Sequence, residues 1–257
     1  DAVIHFAAHK AVAESVEKPL KYYQNNLFAL INILMAVEKY NIKNFIFSSS
    51  ATVYGNPNSL PIKEIYKTQR PFSPYGNTKK IAEEIMEDLI KSSSQLSAIS
   101  LRYFNPIGAH DSGQIGELPN GVPNNLIPYI TQTAAGIRES LYVFGNDYPT
   151  KDGTPIRDYI HVVDLAEAHV LALKRLLNYD QESPFEVFNL GTRKGYSVLE
   201  IINTFEKAIN QKINFTITDR RLGDVPQLYA DINMAKEKLG WHAKRDLINM
   251  IETSWKW

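Results

Sequence analysis

Cysteine is absent from all 257 residues, and its absence excludes several kinds of chemistry. A chain without thiols forms no disulfide, binds no zinc through thiolates and has no cysteine nucleophile. A reducing compartment costs such a fold nothing, so we expect a cytoplasmic protein.

The sequence also lacks an excess of charge of either sign and any long apolar run. Its 28 basic residues balance 28 acidic ones, which gives no sign of a nucleic-acid groove or an anionic membrane surface. The apolar stretches are much shorter than the roughly 20 residues of a membrane helix. We therefore expect a small-molecule ligand, and neither nucleic acid nor a membrane as a partner. The six histidines show no metal-ligand spacing, and we expect Glu83 and Glu84 to lie on a solvated helix face, so no metal is predicted.

Strand-like and helix-like segments alternate through the first half of the chain. Continuous apolar runs predict strands, and apolar residues at helical spacing predict helices between them. The predicted strands are residues 3–8, 44–49 and 97–104, and the predicted helices are residues 19–40 and 75–91. This order is typical of a doubly wound α/β fold with a parallel sheet covered on both faces.

The amino-acid composition changes at residue 106, where a long loop rich in glycine and proline begins. Loops of this kind often carry function. Beyond it we predict helices at 126–138, after Asp164 and at 198–210, strands at 141–144, 185–190 and 213–218, and terminal helices. Residues 1–105 are predicted to be one domain and 106–257 mainly a second, smaller α/β domain, with segments near 157–190 returning to the first.

Polar side chains gather at the ends of two successive predicted strands and at the start of the helix between them. Ser50 follows the second strand, Asn105 follows the third, and Tyr75 and Lys79 begin the helix between them. Pro74 suits a helix start, and the spacing of four places the phenol and the ammonium on one helix face. A Tyr-x-x-x-Lys pair alone is weak support, but open α/β sheets bind ligands at the carboxyl ends of their strands. Together these residues predict an active site there.

Segments along nearly the whole chain resemble the extended short-chain dehydrogenase/reductase family, and within it the UDP-galactose 4-epimerases. The segments that carry the resemblance are residues 6–12, 22–26, 48–55, 73–79, 101–110, 122–126, 144–152, 157–162 and 220–224. The resemblance implies reversible epimerisation of UDP-galactose and UDP-glucose at C4 in galactose metabolism. The reaction would pass through a 4-keto sugar and use a tightly bound, recycled NAD.

The resemblance also assigns roles to individual residues. Tyr75 would remove the proton of the sugar 4-hydroxyl, Ser50 would pass that proton along, and Lys79 would bind the nicotinamide ribose. A free tyrosine has a pKa near 10, so we expect Lys79 and the positive nicotinamide to favour the phenolate. The further cofactor positions implied by the resemblance are Phe6, Ala7, Lys10 and Asn25.

The substrate side is implied by a second set of matches. Arg157 and Arg221 would hold the diphosphate, for which the guanidinium fork is suited. Asp224 would bind the uridine ribose, Asn105 the hexose, Asn125 and Leu126 the phosphate and uracil side, and Phe144 the uracil. Alone, the charged residues could equally form surface ion pairs, and Phe144 could belong to the core. Asp158 and His161 are interpreted as structural.

Two other functions stay open at this point. A nucleotide-sugar dehydratase shares the fold, the tyrosine and the lysine, but needs an extra acid and base. Dehydratases of this kind carry an Asp-Glu pair directly after the Thr in the serine position, whereas Ala51 and Thr52 follow Ser50 here. The other alternative is a catalytically silent nucleotide-sugar-binding relative.

Three further expectations come from the resemblance. Leu228 occupies a gate whose bulk limits an N-acetyl group at C2, so partial activity on UDP-N-acetylhexosamines is expected. A homodimer would form through the helices near 19–40 and 75–91. None of the 13 glycines supplies the family's glycine-rich phosphate turn. We therefore expect roughly 70 residues, about two β-α units, to be missing before the first strand, and the fragment alone to be inactive.

Overall fold

A computed structural model describes residues 1–92, 95–221 and 224–257 of the chain. The strands are β1 (Ala2–His5), β2 (Asn44–Ser50), β3 (Ser97–Tyr103), β4 (Asn105–Ile107), β5 (Leu141–Phe144), β6 (Ile156–His161), β7 (Phe185–Leu190), β8 (Gly195–Ser197), β9 (Phe215–Thr218) and β10 (Gln227–Leu228). The helices are α1 (Val12–Glu17), α2 (Pro19–Lys39), α3 (Pro74–Ser92), α4 (Leu126–Ala134), α5 (Val162–Leu177), α6 (Val198–Ile209), α7 (Asn233–Leu239) and α8 (Leu247–Lys256), with a 3₁₀ helix at Ala51–Tyr54.

One four-stranded sheet has the strand order β1-β2-β3-β7, and all of its strands are parallel. Successive side chains of a strand point to opposite faces, so Phe45 and Phe47 pack under α2 and α3 while Ile46 faces α5. Trp241 completes the core on the α5 side. The sheet is therefore covered on both faces, and the prediction of a Rossmann-like, doubly wound α/β fold is confirmed.

The chain leaves this sheet after β3 and enters a second, smaller one. There β4 and β10 flank β6 in parallel, and β8 pairs with β6 in the antiparallel direction. The chain then returns through α5, which packs on β2 and β3, and through β7, which pairs with β3. A separate core joins α4, α6 and α8 to the parallel pair β5 and β9. The division into domains near residue 105 stays a prediction.

Several predicted boundaries are corrected by the structure. The first strand ends at His5, so Phe6 lies beyond it, and α4 ends at Ala134, two residues before Gly136 with its φ of +74°. The helix expected after Asp164 already begins at Val162, because the His161 ring accepts a hydrogen bond from the Val163 amide and caps it. The sequence pattern missed β4, β6, β8 and β10, which are short or carry adjacent polar residues.

Candidate active site

Ser50 is the last residue of β2 and the cap of the 3₁₀ helix that follows. The Thr52 hydroxyl donates to the Ser50 Oγ at 3.0 Å, and the Thr52 amide donates to the same atom at 3.3 Å. Both contacts use lone pairs of the Ser50 oxygen, so its own proton is free to be donated. The turn thus fixes the serine hydroxyl at the carboxyl edge of the sheet.

Tyr75 and Lys79 stand on the first turns of α3, which starts at Pro74. The Ser73 hydroxyl accepts a hydrogen bond from the Gly76 amide at 3.2 Å. A Cβ on Gly76 would lie 2.7 Å from the Pro71 Cβ and 3.1 Å from the Thr52 hydroxyl. Only glycine therefore lets the helix approach the turn after Ser50 this closely.

Lys79 is buried beneath the strand that carries Ser50. Its ammonium donates to the Ser48 carbonyl at 2.7 Å and lies 4.8 Å from the centre of the Phe47 ring. Among the described residues, this is the one hydrogen bond that the Lys79 ammonium forms, although it has three donors. The remaining donors of the ammonium could bind hydroxyl groups of a ligand.

The electrostatics of the two groups are dominated by burial. Burial raises the pKa of Tyr75 above its ordinary value, the nearby Tyr103 raises it further, and a hydrogen bond with Ser50 lowers it. Burial also lowers the pKa of Lys79 to about 8. The chain's own groups therefore keep Tyr75 as a neutral phenol, although the sequence analysis expected Lys79 to help favour the phenolate.

The predicted cofactor residues follow β1 and line α2. Phe6 and Ala7 are exposed just past the end of β1, and Asn25 is exposed on α2, where its amide donates to Asn26 at 3.0 Å. Lys10 is exposed and pairs with Glu117 at 2.7 Å, so in this structure it contacts the glycine- and proline-rich loop rather than the edge of β2.

Sequence reasoning missed Asn26, which holds the segment after β1 in place. Its side chain accepts from the His9 amide at 2.8 Å and donates to the His9 carbonyl at 3.1 Å and to Thr78 on α3 at 3.0 Å. Asn26 sits at spacing four between Tyr22 and Leu30 on the buried face of α2. A polar residue in such an apolar stripe was the available signal, because buried amides are hydrogen-bonded.

The predicted nucleotide residues lie on the second sheet and on β5. Arg157 forms an ion pair with Asp224 and also donates to the Ile156 carbonyl at 2.8 Å. The Arg221 guanidinium stacks on Phe144 at 4.0 Å from the ring centre. Leu222 and Gly223, which belong to the matched segment 220–224, lie outside the described residues.

The remaining predicted contacts are held by loop and strand positions. Asn105 is exposed on β4, and Leu126 begins α4 and packs partly against the core of the second half. The Asn125 amide donates to Glu117 at 3.2 Å, the carboxylate that also pairs with Lys10. Glu117 thus connects one predicted cofactor residue with one predicted substrate residue, and no sequence motif indicated it.

Leu228 lies next to Arg157 and to the apolar cluster that follows Ser50. It pairs in register with Arg157 and packs against the buried cluster that contains Ala51 and Val53. Leu228 therefore packs on an apolar cluster to which the turn after Ser50 contributes. Among the described residues, no three His, Asp or Glu side chains are arranged to hold a metal ion, and no helix is long and apolar enough to cross a membrane.

Comparisons with known proteins agree with this geometry. A family model described as GDP-mannose 4,6 dehydratase matches residues 1–254. The UDP-glucose 4-epimerases of Drosophila melanogaster and of Bacillus subtilis (strain 168) are each 54% identical over the whole chain, which covers 73% and 75% of their lengths. A crystal structure of UDP-glucose 4-epimerase from Stenotrophomonas maltophila, with bound NAD and formylated UDP-arabinopyranose, is 47% identical. It superposes with a TM-score of 0.95 over all of this chain and 75% of its own.

A doubly wound sheet with serine, tyrosine and lysine at one edge defines the class of extended short-chain dehydrogenases/reductases. Within that class, the chain belongs to the UDP-glucose 4-epimerase family. The chain spans about three quarters of the length of the relatives that it matches.

Proposed function

We propose that this protein interconverts UDP-galactose and UDP-glucose by inverting C4 of the hexose, with NAD as its bound cofactor. The observation that carries the proposal is the convergence of Ser50, Tyr75 and Lys79 at one edge of the sheet. The relative from Stenotrophomonas maltophila, solved with NAD, supports the choice of cofactor. A catalytically silent relative would have no reason to keep these three side chains together.

The proton path follows from the hydrogen bonds of Ser50. Its own proton can be donated to the Tyr75 oxygen, and the hydrogen bond with Ser50 lowers the pKa of the phenol against the effect of burial. The sugar 4-hydroxyl would replace the Thr52 amide, whose 3.3 Å contact is weak, as a donor to the Ser50 oxygen. Ser50 then relays the proton from the 4-hydroxyl to Tyr75, which accepts it as the phenolate, the form that the positive charge of bound NAD would favour. When bound, NAD accepts hydride from C4 and returns it to the opposite face of the 4-keto sugar.

We assign the nucleotide to the second half of the chain. Arg157 and Arg221 would hold the diphosphate, and Asp224 would bind the uridine ribose. Phe144 and Leu126 would face the uracil, while Asn105 and Asn125 would complete the sugar and phosphate contacts. The stacking of Arg221 on Phe144 supports this assignment, because it orients the guanidinium fork. The cofactor would then lie mainly on residues 1–105, where Phe6, Ala7, Lys10 and Asn25 would contact it.

Dehydration is less well supported, although the matching family model carries the name of a dehydratase. A dehydratase must also remove the C5 proton and expel the C6 hydroxyl. Where dehydratases carry an acidic pair, Ala51 is buried in an apolar cluster and Thr52 bonds to Ser50. No carboxylate at this position can therefore serve as the extra acid or base.

Leu228 supports a wider substrate range that includes UDP-N-acetylhexosamines. Leucine is smaller than tyrosine, and in this structure the residue is only partly buried between Arg157 and the turn after Ser50. Leu228→Tyr should reduce turnover of UDP-N-acetylglucosamine while leaving turnover of UDP-glucose nearly unchanged. If the unaltered protein converts UDP-glucose but not UDP-N-acetylglucosamine, this part of the proposal is wrong.

A homodimer and a cytoplasmic location complete the proposal. Helices α2 and α3 pack side by side, and α2 exposes Phe28, Ile31 and Met35 at helical spacing. An apolar stripe of this kind suits the isologous interface of a symmetric dimer. Light scattering of the full-length protein should give twice the subunit mass, and Phe28→Glu should give a monomer. The absence of cysteine is what supports the location.

The test of the activity uses the purified full-length protein without added cofactor. Conversion of UDP-galactose to UDP-glucose, together with NAD released on denaturation, is the expected result. Bound NAD without conversion would instead favour another reaction of the class, such as dehydration. Absence of both would reject the proposal.

A further inference from the structure

Glu83 is buried next to the catalytic groups, whereas the sequence predicted that it would lie on a solvated face. Its exposed fraction is 4%, and it lies one helical turn after Lys79. The carboxylate accepts hydrogen bonds from Ser49 at 2.6 Å, from Ser100 at 2.7 Å and from the Arg102 Nε at 3.0 Å. The prediction for Glu83 was wrong. Its partners lie on β2 and β3, and the periodicity of the helix sequence does not show contacts with distant strands.

The network continues from Arg102 to β7, the last strand of the sheet. Arg102 donates to the Tyr54 hydroxyl at 2.9 Å, and Tyr54 donates to Asn189 on β7 at 2.7 Å. Tyr54 ends the 3₁₀ helix that Ser50 begins. The carboxylate therefore connects α3 with both ends of the turn that carries Ser50, directly through Ser49 and indirectly through Arg102.

Energetics give no reason to bury this ion pair for stability alone. Removing both charges from water costs several kcal/mol, and well-packed apolar replacements of buried pairs are often neutral or stabilising. The pair instead fixes backbone that the reaction uses. Ser49 lies between Ser48, whose carbonyl accepts from Lys79, and Ser50.

The charges around Lys79 come from three elements. On β1, burial and Lys79 together lower the pKa of His5 to about 4, so this ring is neutral near pH 7. On β3, Arg102 is joined to Glu83. On α3, Tyr75 is a neutral phenol, and the negative charge of Glu83 opposes the effect of burial on the pKa of Lys79.

We propose that Glu83 is a positioning residue for the epimerase reaction, which fixes Ser50 through Ser49 and Arg102 and keeps Lys79 as an ammonium. This inference rests on the proposed function. In this inference the Glu83 carboxylate does not react itself. It controls the position of Ser50 and the charge of Lys79.

The test is Glu83→Gln in the full-length protein with its NAD, with Glu84→Gln as the matched control. Glu84 is the next residue of the same helix, is exposed and pairs with Lys80. Loss of the buried charge lowers the pKa of Lys79. The alkaline limb of the activity profile should therefore move to lower pH by about half a unit or more, and kcat at pH 7 should fall about tenfold. Glu84→Gln should change neither.

A second readout does not depend on turnover. The ¹³C shift of the Lys79 side chain, followed against pH, should titrate at lower pH in Glu83→Gln than in the unaltered protein and in Glu84→Gln. If Glu83→Gln does not fold, Ser49→Ala replaces it, because that change removes one bond to the carboxylate and should lower kcat without raising KM.

The outcomes separate this inference from the proposed function. An unaltered pH profile and an unaltered Lys79 titration in folded Glu83→Gln would overturn it, as would an unchanged kcat in Ser49→Ala where that variant is needed. If the unaltered protein shows no conversion, the proposed function is wrong, and the Lys79 titration still decides the electrostatic half of the inference.

Discussion

The two polar regions of this protein are built in opposite ways. At the carboxyl end of β2, Ser50, Lys79 and Glu83 are buried and bonded to neighbouring elements. In the region proposed to bind the nucleotide, Arg157 and Asp224 are partly exposed and bonded mainly to each other.

The difference shows which part of the site is fixed by folding alone. The catalytic groups keep their hydrogen bonds inside the protein, and preorganised groups of this kind lower a barrier without reorganising during the reaction. In the region proposed to bind the nucleotide, Arg157 would have to exchange or share its carboxylate partner when a diphosphate binds. We therefore expect changes at the first region to act on kcat and changes at the second to act mainly on KM.

The largest effect is expected from Tyr75→Phe, which removes the phenol oxygen and keeps the ring. Loss of the proton carrier should lower kcat by about a thousandfold, within the range for general acid-base groups. Tyr142→Phe is the control, because Tyr142 lies on β5, partly exposed against Tyr129. Steady-state assays of both variants make the comparison. Tyr75→Phe with more than a tenth of the original kcat would contradict the assigned role.

Asp158 is a third kind of polar residue, because it is buried but is assigned neither to catalysis nor to nucleotide binding. Its carboxylate accepts hydrogen bonds from the backbone amides of Thr192, Arg193 and Ala230 and from the Thr192 hydroxyl. An amide in its place would turn an NH₂ group toward two of these donors. Asp158→Asn should lower the free energy of unfolding by about 2 kcal/mol in urea titrations. Asp147→Asn, at an exposed carboxylate, should change it by less than about 0.5 kcal/mol.

The smallest of the three effects is expected from Arg221→Lys. Lysine keeps the charge but loses the fork and the planar stacking on Phe144, so KM for UDP-galactose should rise about tenfold with kcat nearly unchanged. Arg220→Lys is the matched control, because Arg220 pairs with exposed Asp147 at 2.6 Å. An unchanged KM in Arg221→Lys would show that charge alone matters at Arg221.

The sequence predicted the parts of the site that depend on local order. Pro74 indicated where α3 begins, and the spacing of four put Tyr75 and Lys79 on one face. It could not place Glu83, because only the fold brings Ser49 and Arg102 to that carboxylate. It also missed β6, since adjacent Arg157 and Asp158 hide the alternation of a strand.

Pairings between distant segments could likewise not be predicted from the sequence. Leu228 meets Arg157 only through the register of β10 with β6, and Arg157 meets Asp224 across 67 positions of the chain. Propensity and periodicity describe neighbours along the chain, so such contacts require the folded structure.

The most direct test of the account follows the hydrogen at C4. UDP-galactose deuterated at C4 is incubated with the full-length protein, and the product is examined by mass spectrometry and NMR. The account predicts UDP-glucose that retains its deuterium at C4, since the same hydrogen leaves and returns within the closed site. A 4-keto-6-deoxy product, or deuterium lost to solvent, would contradict it.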